Sequence, residues 1–281
     1  MKFEQYFKNH LQAVEATLEK ILPPAERHPA AVHEAMRYAV FPSGKRFRPV
    51  LTLAACEAAG GKMQDALLPA AAIELIHCYS LVHDDLPALD DDDTRRGQPT
   101  CHKRFGEAVA IMAGDGLLTL AFHALARVPA GRIGALLEEI STAAGTYGMI
   151  GGQVAELVAP REMNLPMLDY ISSHKTGKLI TVAATSGAIA ADASKEVRMH
   201  LLKYGESLGL AFQFIDDFLD GDGYLKLIKP AEIRQKVRDL IARAKREIKP
   251  LGRKADKLQF IADILLQRLP RTNARQVQVK D

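Results

Sequence analysis

The chain has little cysteine and no cysteine pattern. Among 281 residues there are three, Cys56, Cys78 and Cys101, with no CxxC pair. An odd count without a secretory leader argues against a disulfide framework and for a reducing, cytoplasmic setting. The N-terminal MKFEQYFKNHLQAVEATLEKIL contains acids and lacks the long apolar core of a signal peptide. No run of eighteen apolar residues occurs, so no stable membrane insertion is expected. Ser/Gly-rich linkers and short-period repeats are missing, which leaves one domain over 1–281 as the simplest reading. Val/Ile/Thr alternation at period two is scarce, which counts against a sheet.

Charge is also nearly balanced, at +3, but it is distributed in blocks. Residues 226–254 carry eleven Lys or Arg against three acids. Few aromatics lie nearby and no zinc-finger or RNP-like pattern is present, so this reads as a solvated helical face with no nucleic-acid partner. Residues 84–93 carry six aspartates and no cation, in HDDLPALDDDDTRRG. A second cluster, Asp216, Asp217 and Asp220, stands in FQFIDDFLD. Carboxylates at this density repel one another and resist desolvation. Hard divalent cations with oxygen ligands would compensate them, and metal ions so placed could hold a polyphosphate.

The helical period dominates the rest. Helices are expected over 3–21, 30–40 (ending near Pro42-Ser43-Gly44), Pro49 to Gly60-Gly61, 65–85, 104–127, 131–158, 167–190, 195–220, 230–248 and 254–269, with a frayed tail after Pro270. The fold class is therefore all-α, a single-domain bundle. Both aspartate clusters fall near C-terminal helix ends, where the macrodipole favours cations. Facing helices are where bundles build metal sites.

The first cluster has the form DDxxxxD, Asp84, Asp85 and Asp90. The break at Pro87 lets Asp90 fold back towards Asp84. An EF-hand is excluded, because its central Gly and closing Glu are absent. The second cluster, DDxxD, sets Asp216 and Asp220 at i and i+4 on one face, beside Phe212, Phe214, Ile215, Phe218 and Leu219. Basic residues complete the set. GKRFRP carries Lys45, Arg46 and Arg48, and Arg95-Arg96 follows the aspartates; guanidinium forks match phosphate oxygens. His77 precedes Asp84 by two helical turns on the same face. HKTGKL puts Lys175, Thr176, Gly177 and Lys178 in a helical stretch. Gly there costs about 1 kcal/mol against Ala, and a loosened turn would free carbonyls to face a carbocation.

Together GKRFRP, HCYSLVHDDLPALDDDDTRRGQPTCHKRFGEAVAIMAGDGLL, GGQVAEL, HKTGKL and FQFIDDFLD resemble the short-chain trans-isoprenyl diphosphate synthases, bacterial farnesyl diphosphate synthase most closely. The match is collinear from about residue 40 to 220. The resemblance implies antiparallel helices around a deep central cavity, a homodimer, and three Mg²⁺ per site, with Mn²⁺ as the alternative. It implies condensation of isopentenyl diphosphate with dimethylallyl or geranyl diphosphate. By motif position Asp84, Asp90 and Asp216 would be the main metal ligands, with Asp85, Asp217 and Asp220 supporting them. Arg95 and Lys175 would grip the allylic diphosphate. Lys45, Arg48, His77 and Arg96 would hold isopentenyl diphosphate, Thr176 and Gln213 would face the reacting carbons, and Phe212 would join the substrate-binding residues. Asp91, Asp92 and Asp93 would orient Arg95-Arg96.

The resemblance also bears on product length. Tyr79, with Ser80 beside it, lies about one turn before Asp84. An aromatic there, with the two extra residues near Leu86-Pro87, goes with a C15 product. The alternatives are a geranyl or geranylgeranyl diphosphate synthase, or a non-catalytic homologue that binds diphosphates. After Asp220 the resemblance predicts a lysine-bearing lid loop with a Gly-Lys-Asp segment. The chain instead reads GDGYLKLIKPAEIRQ, and the matching flanks suggest a segment omitted between them.

Overall fold

Apolar residues four apart dictate the first helix. In α1 (Phe3–Ile21) Tyr6, His10, Val14 and Leu18 are buried, one stripe at the helical period. The computed structural model describes residues 3–41, 44–160 and 162–270. The Pro42-Ser43 helix stop and the tail beyond Pro270 lie outside the described residues. The fold is an all-α helical bundle, and its chain divides into two compact units. One comprises residues up to 53 with 63–137, and the other 54–62 with residues from 138 on.

In the first unit α2 (Ala30–Val40), the start of α3 (Phe47–Ala58), α4 (Met63–Asp84), α5 (Cys101–Phe105) and α6 (Glu107–Leu125) follow α1. Helix α4 is buried nearly all round, because α1, α2 and α6 pack on it. Both α4 and α6 reach the length and hydropathy of a membrane span, against the expectation from sequence. Ala-rich stretches with isolated charges produce that hydropathy without an unbroken apolar run. Within this unit two-thirds of the apolar window of α4 is buried, as for a core helix.

The expected helix 104–127 starts earlier and breaks at Gly106, whose φ is +84°. Two short strands, β1 (Thr94–Arg95) and β2 (Gln98–Pro99), were not expected. They pair antiparallel with Arg95 opposite Gln98. The two linking residues, Arg96 (φ +53°) and Gly97 (φ +75°), both lie in the left-handed region. That is the backbone of a two-residue type I′ hairpin.

The second unit contains the end of α7 (Ala130–Ala144), α8 (Met149–Leu157), α9 (Leu165–Ile171), α10 (Lys178–Ala190), α11 (Lys195–Asp220), α12 (Pro230–Ile248) and α13 (Asp256–Gln267). The expected helix 131–158 is two helices. At Gly148 a side chain would stand 2.0 Å from the Ala143 carbonyl oxygen, so the chain doubles back where only glycine fits. Helix α11 starts at Ser194, whose hydroxyl accepts from the Val197 amide, and ends at left-handed Gly221. Helix α12 buries Ile233, Val237, Ile241, Ala244 and Ile248, which leaves its basic residues on the solvated face.

Candidate active site

The first cluster is built by the way α4 stops. Asp84 is its last residue. The Leu86 amide donates to the His83 carbonyl and the Leu89 amide to Leu86, which tightens the turn through Pro87. The chain then returns: the Asp90 amide donates to the Asp84 carbonyl at 2.9 Å. The expected fold-back is present, and Asp84 and Asp90 share the negative end of α4. Asp85 lies elsewhere. It is buried, and Arg95 Nε donates to its Oδ1 at 2.6 Å. Burial raises the Asp85 pKa, against the lowering by Arg95. Its oxygens therefore position Arg95 from below. Asp92 accepts from Arg95 at 3.3 Å and Asp93 pairs with Lys103 at 2.7 Å. Of the three aspartates expected to orient Arg95-Arg96, Asp92 meets Arg95, whereas Asp93 is turned to Lys103.

The type I′ turn places Arg96 against the GKRFRP segment. A side chain at Gly44 would stand 3.0 Å from Arg96 Nη1, so glycine permits the approach. Arg48 lies in the first turn of α3. His77 is held neutral, its pKa lowered by burial and by the charges of Arg48, Arg96, Arg95 and Arg46. The guanidiniums of Arg48, Arg95 and Arg96 around one imidazole make an anion-seeking environment. Arg46, grouped with the other cations by sequence, does not join them. It is 2% exposed and turned into the core.

Tyr79 is 6% exposed, and its hydroxyl has no hydrogen-bond partner among the described residues. Burial, with Asp84 adding to it, pushes the phenol up to about 12. The ring meets His83 edge-on, with centroids 5.8 Å apart. Ser80 donates to the His77 carbonyl at 2.9 Å, so its hydroxyl is turned to the backbone.

In the second unit, residues Ser172–Gly177 form a π-helical turn, the loosened turn that Gly177 suggested. Gly152 of GGQVAEL packs on it, and a side chain there would lie 2.2 Å from the Lys175 amide nitrogen. Lys175 pairs with Glu156 of the same motif, which holds the ammonium in place. Thr176 stands in the same turn.

The second cluster is split by helical direction. Asp216 and Asp220 share a face. Arg268 Nη2 donates to Asp216 Oδ1 at 2.8 Å, and its guanidinium lies over the Phe212 ring at 5.1 Å. Asp217 points the other way and is buried. It accepts from Gln213 Nε2 at 2.6 Å and from the Tyr224 amide at 2.9 Å. Its pKa is raised by burial, which those two donors oppose. Asp217 therefore secures the turn after α11, and Gln213 commits its amide nitrogen to that task.

The connection after Asp220 is short and packed. Tyr224 is fully buried, stacks on Phe214 at 3.9 Å, and donates its hydroxyl to Asp169 at 2.5 Å. Asp222 caps the 3₁₀ turn Gly223–Lys226. Arg268, Glu156 and the carboxylates beneath Arg46 were not singled out by sequence, because no local pattern marks such distant partners.

The profile described as polyprenyl synthetase matches residues 29–230. The farnesyl diphosphate synthase of Escherichia coli K12 is 38% identical, covering 95% of this chain and 99% of its own. The geranylgeranyl diphosphate synthase of Cyanophora paradoxa is also 38% identical, covering 94% and 95%. Among solved structures, an apo FPP/GFPP synthase from Zymomonas mobilis superposes with a TM-score of 0.89 at 34% identity, covering 94% of this chain and 98% of that one. Aspartates at a helix end, guanidiniums around His77 and a π turn at Lys175 thus sit in a bundle of that kind, and the chain belongs to the polyprenyl synthetase family as a prenyltransferase of isoprenoid biosynthesis, a short-chain prenyl diphosphate synthase.

Proposed function

We propose that the protein is a Mg²⁺-dependent farnesyl diphosphate synthase, a geranyltranstransferase that joins isopentenyl diphosphate to dimethylallyl and then geranyl diphosphate. The observation that carries this reading is the return of Asp90 onto Asp84 at the end of α4, with buried Tyr79 about a turn earlier. A bulky ring there would limit a growing chain at C15.

The donor chemistry fits Mg²⁺, which the family generally uses. Among the described residues no three His, Cys, Asp or Glu side chains form a metal-holding group. Mg²⁺ needs no such cage, since it keeps waters and takes one or two carboxylates with substrate phosphates. Asp84, Asp90, Asp216 and Asp220 would provide those carboxylates, with Asp85 and Asp217 supporting from behind. Bound Mg²⁺ would neutralise the allylic diphosphate and make it a leaving group.

The chain's own residues do the rest. Arg95, set by Asp85, and Lys175, set by Glu156, grip the allylic diphosphate. Lys45, Arg48, His77 and Arg96 hold isopentenyl diphosphate with its double bond towards the ionised carbon. Thr176, the carbonyls of the π turn, Phe212 and the Gln213 amide oxygen face the allylic cation. Condensation forms the new C–C bond, and elimination passes a proton to the departed diphosphate. No dedicated base is needed.

Two further traits accompany this reading. Helix α8 exposes Ile150, Val154 and Leu157, with Tyr147 before it and Val158 after it; such an apolar face supports a homodimer. The buried Cys56, Cys78 and Cys101 form no disulfide among the described residues, which supports a cytoplasmic location. A second reading, a diphosphate-binding homologue without catalysis, is favoured by the short connection after Asp220, which brings no lysine-rich lid. Incubation with labelled isopentenyl diphosphate, geranyl diphosphate and Mg²⁺ decides. Labelled C15 alcohol after phosphatase treatment supports the synthase. A C20 product supports geranylgeranyl diphosphate synthesis, and a product that stops at C10 when dimethylallyl diphosphate replaces geranyl diphosphate beside isopentenyl diphosphate supports the geranyl alternative. Metal-dependent binding without product supports the second reading.

His77 yields a pH prediction. Its folded pKa is depressed below the unfolded value of about 6.5. The unfolded chain therefore binds the proton more readily, and this group's effect lowers stability as pH falls through that value. A bound diphosphate offsets the guanidinium charge and raises the His77 pKa. Calorimetry of isopentenyl diphosphate binding at pH 6, in two buffers of different ionisation enthalpy, should give more proton uptake for the wild type than for His77→Asn. Equal uptake would remove His77 from the site.

A further inference from the structure

We propose that Arg46 is a positioning residue for isopentenyl diphosphate: a buried strut that orients Lys45 and Arg48 without touching substrate. The inference rests on the reading that Lys45 and Arg48 hold that substrate.

One guanidinium joins three helices where the chain enters α3. Arg46 Nε donates to Glu15 of α1 at 2.7 Å, and Nη1 donates to Glu74 of α4 at 2.9 Å. Nη2 donates to the Val40 carbonyl at the end of α2. The side chain is entirely buried, and so is Glu74. These partners hold the guanidinium charged, its pKa raised despite burial.

The backbone is the second observation. Arg46 has φ +45°, in the left-handed region that non-glycine residues seldom adopt. Such a conformation persists where its surroundings over-determine it. Here the three anchored donors do so. The turn sends Arg46 inward while Lys45 stays exposed. The Arg46 carbonyl then accepts from the Val50 amide at 3.1 Å, which starts α3 with Arg48 in its first turn. The spacing of the two substrate-facing cations is thus set by a third that faces away.

A charged strut is not the cheapest way to fill a core, since apolar residues often stabilise as well or better. What the guanidinium adds is direction: a planar fork that fixes three distances at once. Lysine keeps the charge and loses the fork.

The experiment compares Arg46→Lys, Arg46→Met and Glu15→Gln with Arg48→Gln as the control, by steady-state kinetics with each substrate varied. Circular dichroism and Tm report folding. Arg46→Lys should raise the KM for isopentenyl diphosphate about tenfold and Arg46→Met more. The KM for the allylic substrate and kcat should stay within about threefold. If the core variants fail to fold, Glu15→Gln removes one anchor from a half-exposed partner, and a three- to fivefold rise in the same KM is expected. Arg48→Gln raising that KM while every folded Arg46 or Glu15 variant leaves it unchanged overturns the proposal. A proportionate loss of kcat with both substrates affected alike also overturns it, as a merely structural role. If Arg48→Gln itself leaves the KM unchanged, the assignment of the substrate site has failed instead.

Discussion

Asp84→Asn lowers kcat by about three orders of magnitude and leaves the fold intact. The argument is electrostatic. Asparagine preserves shape and one oxygen but removes the charge that a hard cation requires. The site gains no substitute, because Asp85 is clamped by Arg95 and Asp92 and Asp93 serve Arg95 and Lys103. Losing one preorganised group at developing charge typically costs 10²–10³ in rate, about 3–4 kcal/mol. Loss of a metal ligand, the role proposed for Asp84, belongs at the upper end of that range. The fold survives because Asp84 holds Asp90 through its backbone carbonyl, not its carboxylate. Steady-state kinetics over a Mg²⁺ titration, with circular dichroism alongside, measures both. Wild-type kcat at saturating Mg²⁺ would remove Asp84 from the metal set.

On the proposed farnesyl diphosphate synthase reading, Tyr79→Ala should lengthen the product from C15 to C20 and beyond. The ring is 6% exposed and stands about a turn before Asp84 on α4. Truncation leaves a space that a prenyl tail can enter. It also destabilises the protein by about 3–4 kcal/mol, the usual cost of deleting a buried aromatic. Tyr79→Phe separates the two effects. The hydroxyl has no partner among the described residues, so removing it leaves no stranded group. The phenylalanine variant should keep the C15 product and lose little stability. Chromatography of the dephosphorylated products reads the outcome. An unchanged C15 product from the alanine variant would show that Tyr79 is a core residue and nothing more.

Most helices were legible because their signals are local. Pro230 at the start of α12 and Gly221 after α11 mark ends that sequence can read. Gly177 within a helical period marked a loosened turn, which the structure shows to be π-helical. The Asp90 fold-back followed from Pro87. What escaped was non-local or carried by unusual residues. The hairpin has strands of two residues and turns on Arg96-Gly97, not Asn-Gly, so no alternation marked it. The break near Gly148 hides inside an otherwise helical pattern, and only the clash with Ala143 reveals it. Arg46 looked like its neighbours, since its partners Glu15 and Glu74 lie 31 and 28 residues away. Arg268 reaches Asp216 across 52 residues, beyond any motif. Functional types could be read from sequence; the direction each side chain takes could not.

The turn after α11 limits what mutation can do to this chain. Connections between helices ordinarily absorb insertions, because little depends on their length. Here Tyr224 accepts no slack. Its amide meets Asp217, its ring lies on Phe214, and its hydroxyl meets Asp169. Gly223 has no room for a side chain, since one would fall 1.8 Å from Asp217 Oδ2. One residue more or fewer between Asp220 and Tyr224 would withdraw the ring and unlatch Asp217, next to Asp216. Point substitutions are tolerated elsewhere in the connector, but in this chain its length is tied to the DDxxD motif by the contacts of Tyr224.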